Sequence, residues 1–208
     1  MTRLYLYGIT HPREVPQRLR DQGVFLVEDD GRAAIVSELD EGPVEATRRN
    51  LLAHADVVEQ LHEDGVVLPA RFGYVLESRD EALELLGLPE VDELLERHEQ
   101  TCELTLRGKY EESVLGEAVG EALADRRARD EAFVLGALRP LLLDLVPGNP
   151  AGEFAAFDLA LLVERNAVKT VEAKLEELAA RLSPPLHFKL VGPLPPYSFV
   201  RLALPAVA

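Results

Sequence analysis

From Leu4 to Ile9 aromatic and aliphatic residues alternate, which predicts a first β-strand, because successive side chains of a strand point to opposite faces. The stretch "VFLVEDDGRAAIVSEL" then holds two apolar runs joined by Asp29, Asp30 and Gly31, the pattern of a β-hairpin. After the Gly42-Pro43 break the period changes. Leu51, Leu52, Ala55, Val58 and Leu61 recur at helical spacing until Gly65, predicting one amphipathic helix. Val66 to Val75, "VVLPARFGYV", is β-like but interrupted by Pro69 and Gly73, so it reads as an edge strand or a bulge that another chain can approach closely. Ser78 and Glu81 form a capping box opening a short helix that ends at Gly87. Pro89 opens the next, with Val91, Leu94, Leu95 and His98 on one face.

Between Cys102 and Tyr110 the period switches to two, with Leu104, Leu106 and Tyr110 alternating with Glu103, Thr105, Arg107 and Lys109. A domain boundary is expected at this switch, giving an N-terminal α/β domain over residues 1–101 and a C-terminal domain over 102–208. The second half reads as that strand, a long helical segment from about Glu112 to Val146, the loop "PGNPAGE", a strongly apolar strand from Phe154 to Val163, a helix, a strand, a proline turn and a final strand. The helix from Ala167 to Leu182 carries the stripe Val168, Val171, Leu175, Leu178 and Leu182, and Pro184-Pro185 ends it. The pattern predicts an α+β protein of two α/β domains with open sheets covered by helices, crossovers being right-handed wherever strands are parallel; the C-terminal domain is expected to be a ferredoxin-like sandwich. In "KLVGPLPPYSFVRLAL", Pro193, Pro195 and Pro196 cannot sit inside a sheet, since proline donates nothing to a ladder, so a stiff connection is expected there.

Charge changes the picture. The chain carries 37 acidic against 22 Lys and Arg residues, a formal charge of -15, which repels phosphate backbones and anionic membrane surfaces and argues against nucleic-acid binding. At 208 residues and 47% hydrophobic content a substantial core is available. No apolar run approaches the roughly 20 residues needed to span a bilayer. The start "LYLYGI" is too short for a signal peptide, and the single Cys102 excludes an intramolecular disulfide and fits a reducing compartment, so a soluble cytoplasmic protein is expected.

Catalytic motifs are scarce. His98 and Cys102, four apart, could meet if the helix continued that far, but a metal site needs more ligands, and the reading favoured is a helix end and a buried thiol. His54 and His62 lie about 12 Å apart along a helix and are expected on its surface. "RGKYEES" fails as a phosphate loop, with Glu103 where the first glycine belongs and Tyr110 where Ser or Thr should hold magnesium. No catalytic residue, cofactor or metal is assigned, and the chain is not expected to be an enzyme.

Three stretches, "LPARFGYV", "LRGKYEESV" and "FKLVGPLPPYSFV", in this order and spacing, resemble the gas vesicle protein GvpF/GvpL family across nearly the whole chain. The resemblance implies an accessory protein of gas vesicle assembly without catalysis or cofactor, associated with gas vesicles. Its expected partners are the very hydrophobic major shell protein and other gas vesicle accessory proteins, with neither nucleic acid nor membrane. A strongly acidic companion with one apolar docking surface could keep such a shell subunit from aggregating. Candidate partner-binding residues are Arg71 and Phe72 in the bulged segment, and Pro195, Pro196, Tyr197 and Phe199 at the proline segment. The structural alternative is that Gly192 to Pro196 only sets strand geometry while Tyr197, Phe199 and Leu202 fill a core. Two further readings are a small-molecule-binding protein or enzyme with an interdomain cleft using Arg71, Lys109 and His98, and a homo-oligomeric scaffold pairing through sheet edges.

Overall fold

Strand β1 (Arg3–Thr10) occupies the centre of the first of two sheets in the computed structural model, which describes residues 2–39, 42–111, 121–182 and 186–201, the side chains of 121 and 122 excepted. It pairs on one side with β3 (Arg32–Leu39), which in turn pairs with β2 (Val24–Asp29), and on the other with two short segments, β4 (Leu68–Pro69) and β5 (Val75–Leu76). Every pairing is antiparallel. The expected hairpin is present, Asp30 and Gly31 both turning through positive φ (43° and 80°) as its two-residue turn requires. The expected edge segment is divided: β4 and β5 both lie along β1, and residues 70–74 form a turn between them.

A bulge at Tyr7 organises this sheet. Leu6 faces Val36 and Gly8 faces Ile35, so β1 carries one residue more than its partner there. The extra residue reverses the alternation, and Leu4, Leu6 and Ile9 enter one core despite their unequal spacing. That core is closed by α3 (Arg79–Leu86) and α4 (Pro89–His98) through Ala82, Leu85, Leu86, Val91 and Leu95. A second cluster holds Leu19 of α1 (Gln17–Asp21) and Val57, Val58 and Leu61 of α2 (Arg48–Glu63) with Val24, Ile35 and Val67. Each such buried aliphatic side chain contributes about 1.5–3 kcal/mol.

Two expectations change here. The short helix α1, opened by Pro16, was not foreseen. The buried stripe of α2 is His54, Val57, Val58, Leu61 and His62, whereas Leu51 and Leu52 are exposed; the apolar periodicity of its first turn marks surface, and His54 and His62 are core residues rather than surface ones.

In the second sheet the chain order is β6 (Thr101–Tyr110), α5 (Glu121–Leu138), β7 (Asp144–Pro147), β8 (Ala155–Glu164), α6 (Val168–Arg181) and β9 (Leu186–Leu194). The strands lie side by side as β7-β8-β6-β9, all antiparallel, the βαββαβ arrangement of a ferredoxin-like fold. Cys102, Leu104, Leu106 and Tyr110 of β6 and Phe157, Leu159, Leu161 and Val163 of β8 pack against Val134 and Leu138 of α5 and Val171, Leu175 and Leu178 of α6. The α+β class expected from the sequence therefore holds, and among the described residues no strand pair is parallel. The expected helix running to Val146 ends earlier: Arg139–Leu141 tightens into a 3-10 turn at Pro140, and Leu143 N–H already donates to Leu162 O as β7 begins. Its expected start at Glu112, the Pro184-Pro185 stop and Leu202 lie outside the described residues.

Strand β9 is an edge, which is why Pro193 can lie within it. The register slips between the pairs Thr105–Val191 and Glu103–Leu194, and Gly192 sits in the slip at φ 142°. A Cβ on Gly192 would come 2.7 Å from Leu104 Cδ2 and 2.8 Å from Glu103 O, so only glycine fits. After Leu194 the chain turns rather than forming the expected last strand: Tyr197 N–H donates to Pro195 O (2.7 Å) and Val200 N–H to Pro196 O (3.0 Å). Val200 then packs against the core of the first sheet. The chain accordingly forms two compact units, Met1–Gln100 with the segment from Pro195 onward, and Thr101–Leu194.

Candidate functional site

The segment "PARFGY" forms the turn between β4 and β5, and its conformation is held from both ends by polar groups of the first unit. Gly73, at φ 84°, lets the chain reverse. Gly73 N–H donates to Tyr5 Oη (3.2 Å), and Tyr5 Oη lies 2.8 Å from His54 Nδ1. His54 Nε2 lies 3.2 Å from Ala70 O. A carbonyl can only accept, so the imidazole proton sits on Nε2, and Nδ1 receives the Tyr5 hydroxyl proton. The relay runs from one end of the turn to the other through β1 and α2. Backbone bonds complete the attachment, Ala70 N–H to Tyr7 O (2.9 Å) and Leu6 N–H to Tyr74 O (3.0 Å).

Burial tunes these groups to stay neutral. The Tyr5 hydroxyl is pushed up to about 12, chiefly by loss of solvent, and the same cause lowers His54 below its ordinary value, opposed by the Ala70 carbonyl. Neutral His54 is the state that the relay needs.

Phe72, half-buried, projects from this turn into an aromatic cluster. Its ring centroid lies 6.2 Å from Tyr5 and 5.8 Å from His54, both edge-on; Tyr7 stacks on His54 at 5.6 Å and meets Tyr5 edge-on at 4.8 Å. These rings form one side of a groove of about 400 Å³, whose other side is Asn50 and Ala53 of α2 and the segment Pro43–Glu45. On the same first turns of α2, Leu51 is 45% and Leu52 60% exposed, but neither lines the groove, the helical period setting Leu52 on the opposite side of α2 from Asn50 and His54. Arg71 is exposed beside Phe72 and has no carboxylate within ion-pair distance among the described residues. The groove offers aromatic faces, the hydroxyls of Tyr5, Tyr7 and Ser37 and the carboxylate of Glu45, and Arg71 stands exposed next to Phe72; aromatic faces of this kind suit an apolar protein segment.

Of the residues singled out from the sequence, the fold brings Phe72 into this groove with Arg71 beside it. Pro195 and Pro196 are buried and offer no surface. Tyr197 is 37% exposed instead of filling the core as the structural alternative expected; Phe199 is partly buried, and neither lines the groove. Tyr5, Tyr7 and His54 were missed. The signal for the tyrosines was there: two hydroxyl-bearing rings at alternate positions of one strand share a face and need polar partners when buried.

The residues of the cleft reading do not form a ligand site within either unit. His98 is 1% exposed at the end of α4, and its pKa is lowered by burial and by the neighbouring Arg97. Lys109 stands on β6 of the second unit, where Gly108-Lys109 continues a strand and forms no phosphate loop. Cys102 also lies in β6, so its spacing from His98 is not helical; its thiol is buried and pushed up by desolvation. Among the described residues no group of three or more His, Cys, Asp or Glu could hold a metal ion, and no helix is long and apolar enough to cross a membrane.

The profile described as "Gas vesicle synthesis protein GvpL/GvpF" matches residues 3–115 and 88–201. The chain is 30% identical to "Gas vesicle protein F" of Streptomyces sp. (strain CB03234), over 94% of this chain and 98% of that protein. It is 22% identical to "Gas vesicle protein F" of Nostoc sp. (strain PCC 7120 / SAG 25.82 / UTEX 2576), over 96% and 98%. In fold it is similar to the crystal structure of GvpF from Anabaena sp. PCC7120, with a TM-score of 0.83 at 21% identity, covering 98% of both chains. The crystal structure of GvpF from Microcystis aeruginosa superposes with a TM-score of 0.79 at 19% identity, covering 97% of this chain and all of that one.

Proposed function

The chain belongs to the GvpL/GvpF family of gas vesicle synthesis proteins, and on that premise we propose that it binds the hydrophobic major shell protein through the aromatic groove of its first unit. A gas-vesicle-related role follows from the family. The finer reading rests on one observation: Phe72 is presented on a turn pinned at both ends, in a groove lined by Tyr5, Tyr7 and His54. Preorganised aromatic anchors bind apolar segments with little ordering cost, because their rotamers are set before the partner arrives. The formal charge of -15 then keeps the loaded complex dispersed while the shell subunit's apolar surface is covered.

In this reading the protein is an accessory factor rather than an enzyme. It delivers shell subunits or nucleates their addition, acts in the cytoplasm at the growing vesicle, and takes other gas vesicle accessory proteins as additional partners. Arg71, exposed next to Phe72, adds a charge-assisted contact.

The test is co-expression with the major shell protein and recovery of the soluble complex. Intact protein is expected to retain shell protein, and Phe72→Asp to lower recovery at least roughly tenfold with an unchanged circular dichroism spectrum. Equal recovery by folded Phe72→Asp would remove the groove from the account. No recovery with intact protein would remove direct shell binding altogether.

A further inference from the structure

The second unit contains a basic surface that the acidic composition of the chain gives no reason to expect. Arg107 of β6 lies directly opposite Lys189 of β9, and Lys109 directly opposite His187. All four side chains are exposed, and all line one cavity of about 530 Å³, whose wall is the loop Pro150–Phe154. Basic residues facing each other across a strand pair destabilise it when both are charged, so two consecutive pairs are a local cost to the fold. Partial relief comes from Asp158, 3.1 Å from Arg107, and from Glu111, 2.9 Å from His187; Glu153 lies in the loop wall. Lys109, 5.8 Å above the Phe154 ring, and Lys189 have no carboxylate partner among the described residues.

The same strand is the edge of its sheet, with no described strand on its outer side, so its free backbone groups can pair with an added strand. Its two faces differ in chemistry. His187 and Lys189 belong to the basic face. Phe188 and Leu190 alternate with them and pack against the unit's core, lining a groove of about 490 Å³ between β9 and α6 with Leu175, Ala179, Glu172 and Glu176; His187 also borders this groove, and Phe188 the basic cavity. A strand laid along β9 would alternate between these surroundings with a period of two. Carboxylates fit on one side, beside Lys189 and Lys109, and are repelled on the other by Glu172 and Glu176. Apolar side chains fit on that other side.

We propose that β9 is a strand-addition site for an extended segment of a partner protein in which acidic and apolar residues alternate. Backbone pairing supplies affinity, and the two unlike faces set the register, because a slip of one residue exchanges every carboxylate for an apolar side chain. This site lies wholly within the second unit and does not depend on shell binding by the first.

The full-length protein is titrated, by fluorescence anisotropy, into labelled peptides of alternating glutamate and valine, of alternating lysine and valine, and of the same glutamates and valines grouped in two blocks. Saturable binding is expected for the alternating acidic peptide alone. Methylating its backbone nitrogens at odd or at even positions leaves charge intact, and one of the two sets is expected to abolish binding. The double variant K109E/K189E should weaken binding roughly tenfold or more, since two attractions become repulsions. The proposal is overturned by no binding at millimolar peptide, by equal binding of the blocked peptide, by tolerance of both methylated sets, or by equal affinity of the double variant with its fold intact.

Discussion

Tyr5 and His54 act through a turn that neither belongs to, and the consequence is measurable at each of them. Replacing Tyr5 by Phe keeps the ring but leaves His54 Nδ1 and Gly73 N–H without the hydroxyl between them. A buried polar group deprived of its partner costs about 1–3 kcal/mol. Tyr5→Phe is therefore expected to lower the unfolding free energy by that amount in urea titrations, and to raise amide exchange at Gly73. The pH dependence has a definite sign. His54 and His98 are both lowered by burial, so below about pH 6.5 the unfolded chain binds protons that the native one does not. Stability contributed by these groups is present above that pH and is lost as pH falls toward their native values. Melting temperatures at pH 5 and 7 should show the loss, and His54→Gln should reduce the difference. Glycines 108 and 192 provide a contrast in sterics. A Cβ on Gly108 would come 2.7 Å from the buried Phe157 ring, a side chain that must give way; on Gly192 it would meet backbone, Glu103 O at 2.8 Å, with φ at 142°. Gly108→Ala is expected to cost about 1–3 kcal/mol and Gly192→Ala more, both read from chemical denaturation.

At the scale of elements, local chemistry was legible and tertiary context was not. Ser78 Oγ accepts Glu81 N–H (3.2 Å), as the capping box predicted, and the glutamate reaches back to Glu77 N–H (2.6 Å), one residue before the usual position. Ser78→Ala should cost about 1 kcal/mol by urea denaturation. The hairpin, α4 and α6 were legible for the same reason: turn residues, an N1 proline and a sustained apolar stripe act over a few neighbours. What stayed hidden depends on the opposite strand or on solvent. The bulge at Tyr7 shows only in register against β3, and strand β7 lies within the Leu-rich run "LRPLLLDLV", where apolar residues alone cannot distinguish helix from strand. In α2, Leu51 and Leu52 look like the start of a core stripe, yet the helix buries the face of His54 instead. Of the groove, Phe72 and Arg71 were visible in the motif, while the rings that complete it come from β1 and α2, distant in sequence. Because Ala53 is exposed and lines the groove, Ala53→Arg should change stability by less than about 0.5 kcal/mol, yet lower shell-protein recovery.

At the scale of the whole molecule, the chain leaves its first unit at Gln100 and rejoins it at Pro195, so the proline-rich segment that follows β9 is where the second unit ends. That accounts for the prolines. Pro193 is tolerated on an edge strand, and Pro195 and Pro196, buried, set the turn that brings Val200 onto the first core. Truncation after Leu194 should therefore increase hydrogen exchange in β1 and β3 while leaving β6 and β8 protected. The all-antiparallel second unit, with its basic strand pair, and the first unit, with its aromatic groove, present surfaces of different chemistry. We propose the latter as the shell-protein site. Site-specific photo-crosslinking tests that assignment most directly, with a photoreactive residue placed at Ala53, which is exposed and lines the groove, or at Phe133, which is 46% exposed on α5 of the second unit. Co-expressed shell protein is expected to crosslink from position 53 and not from 133; crosslinking from 133 with none from 53 would contradict shell binding at the groove.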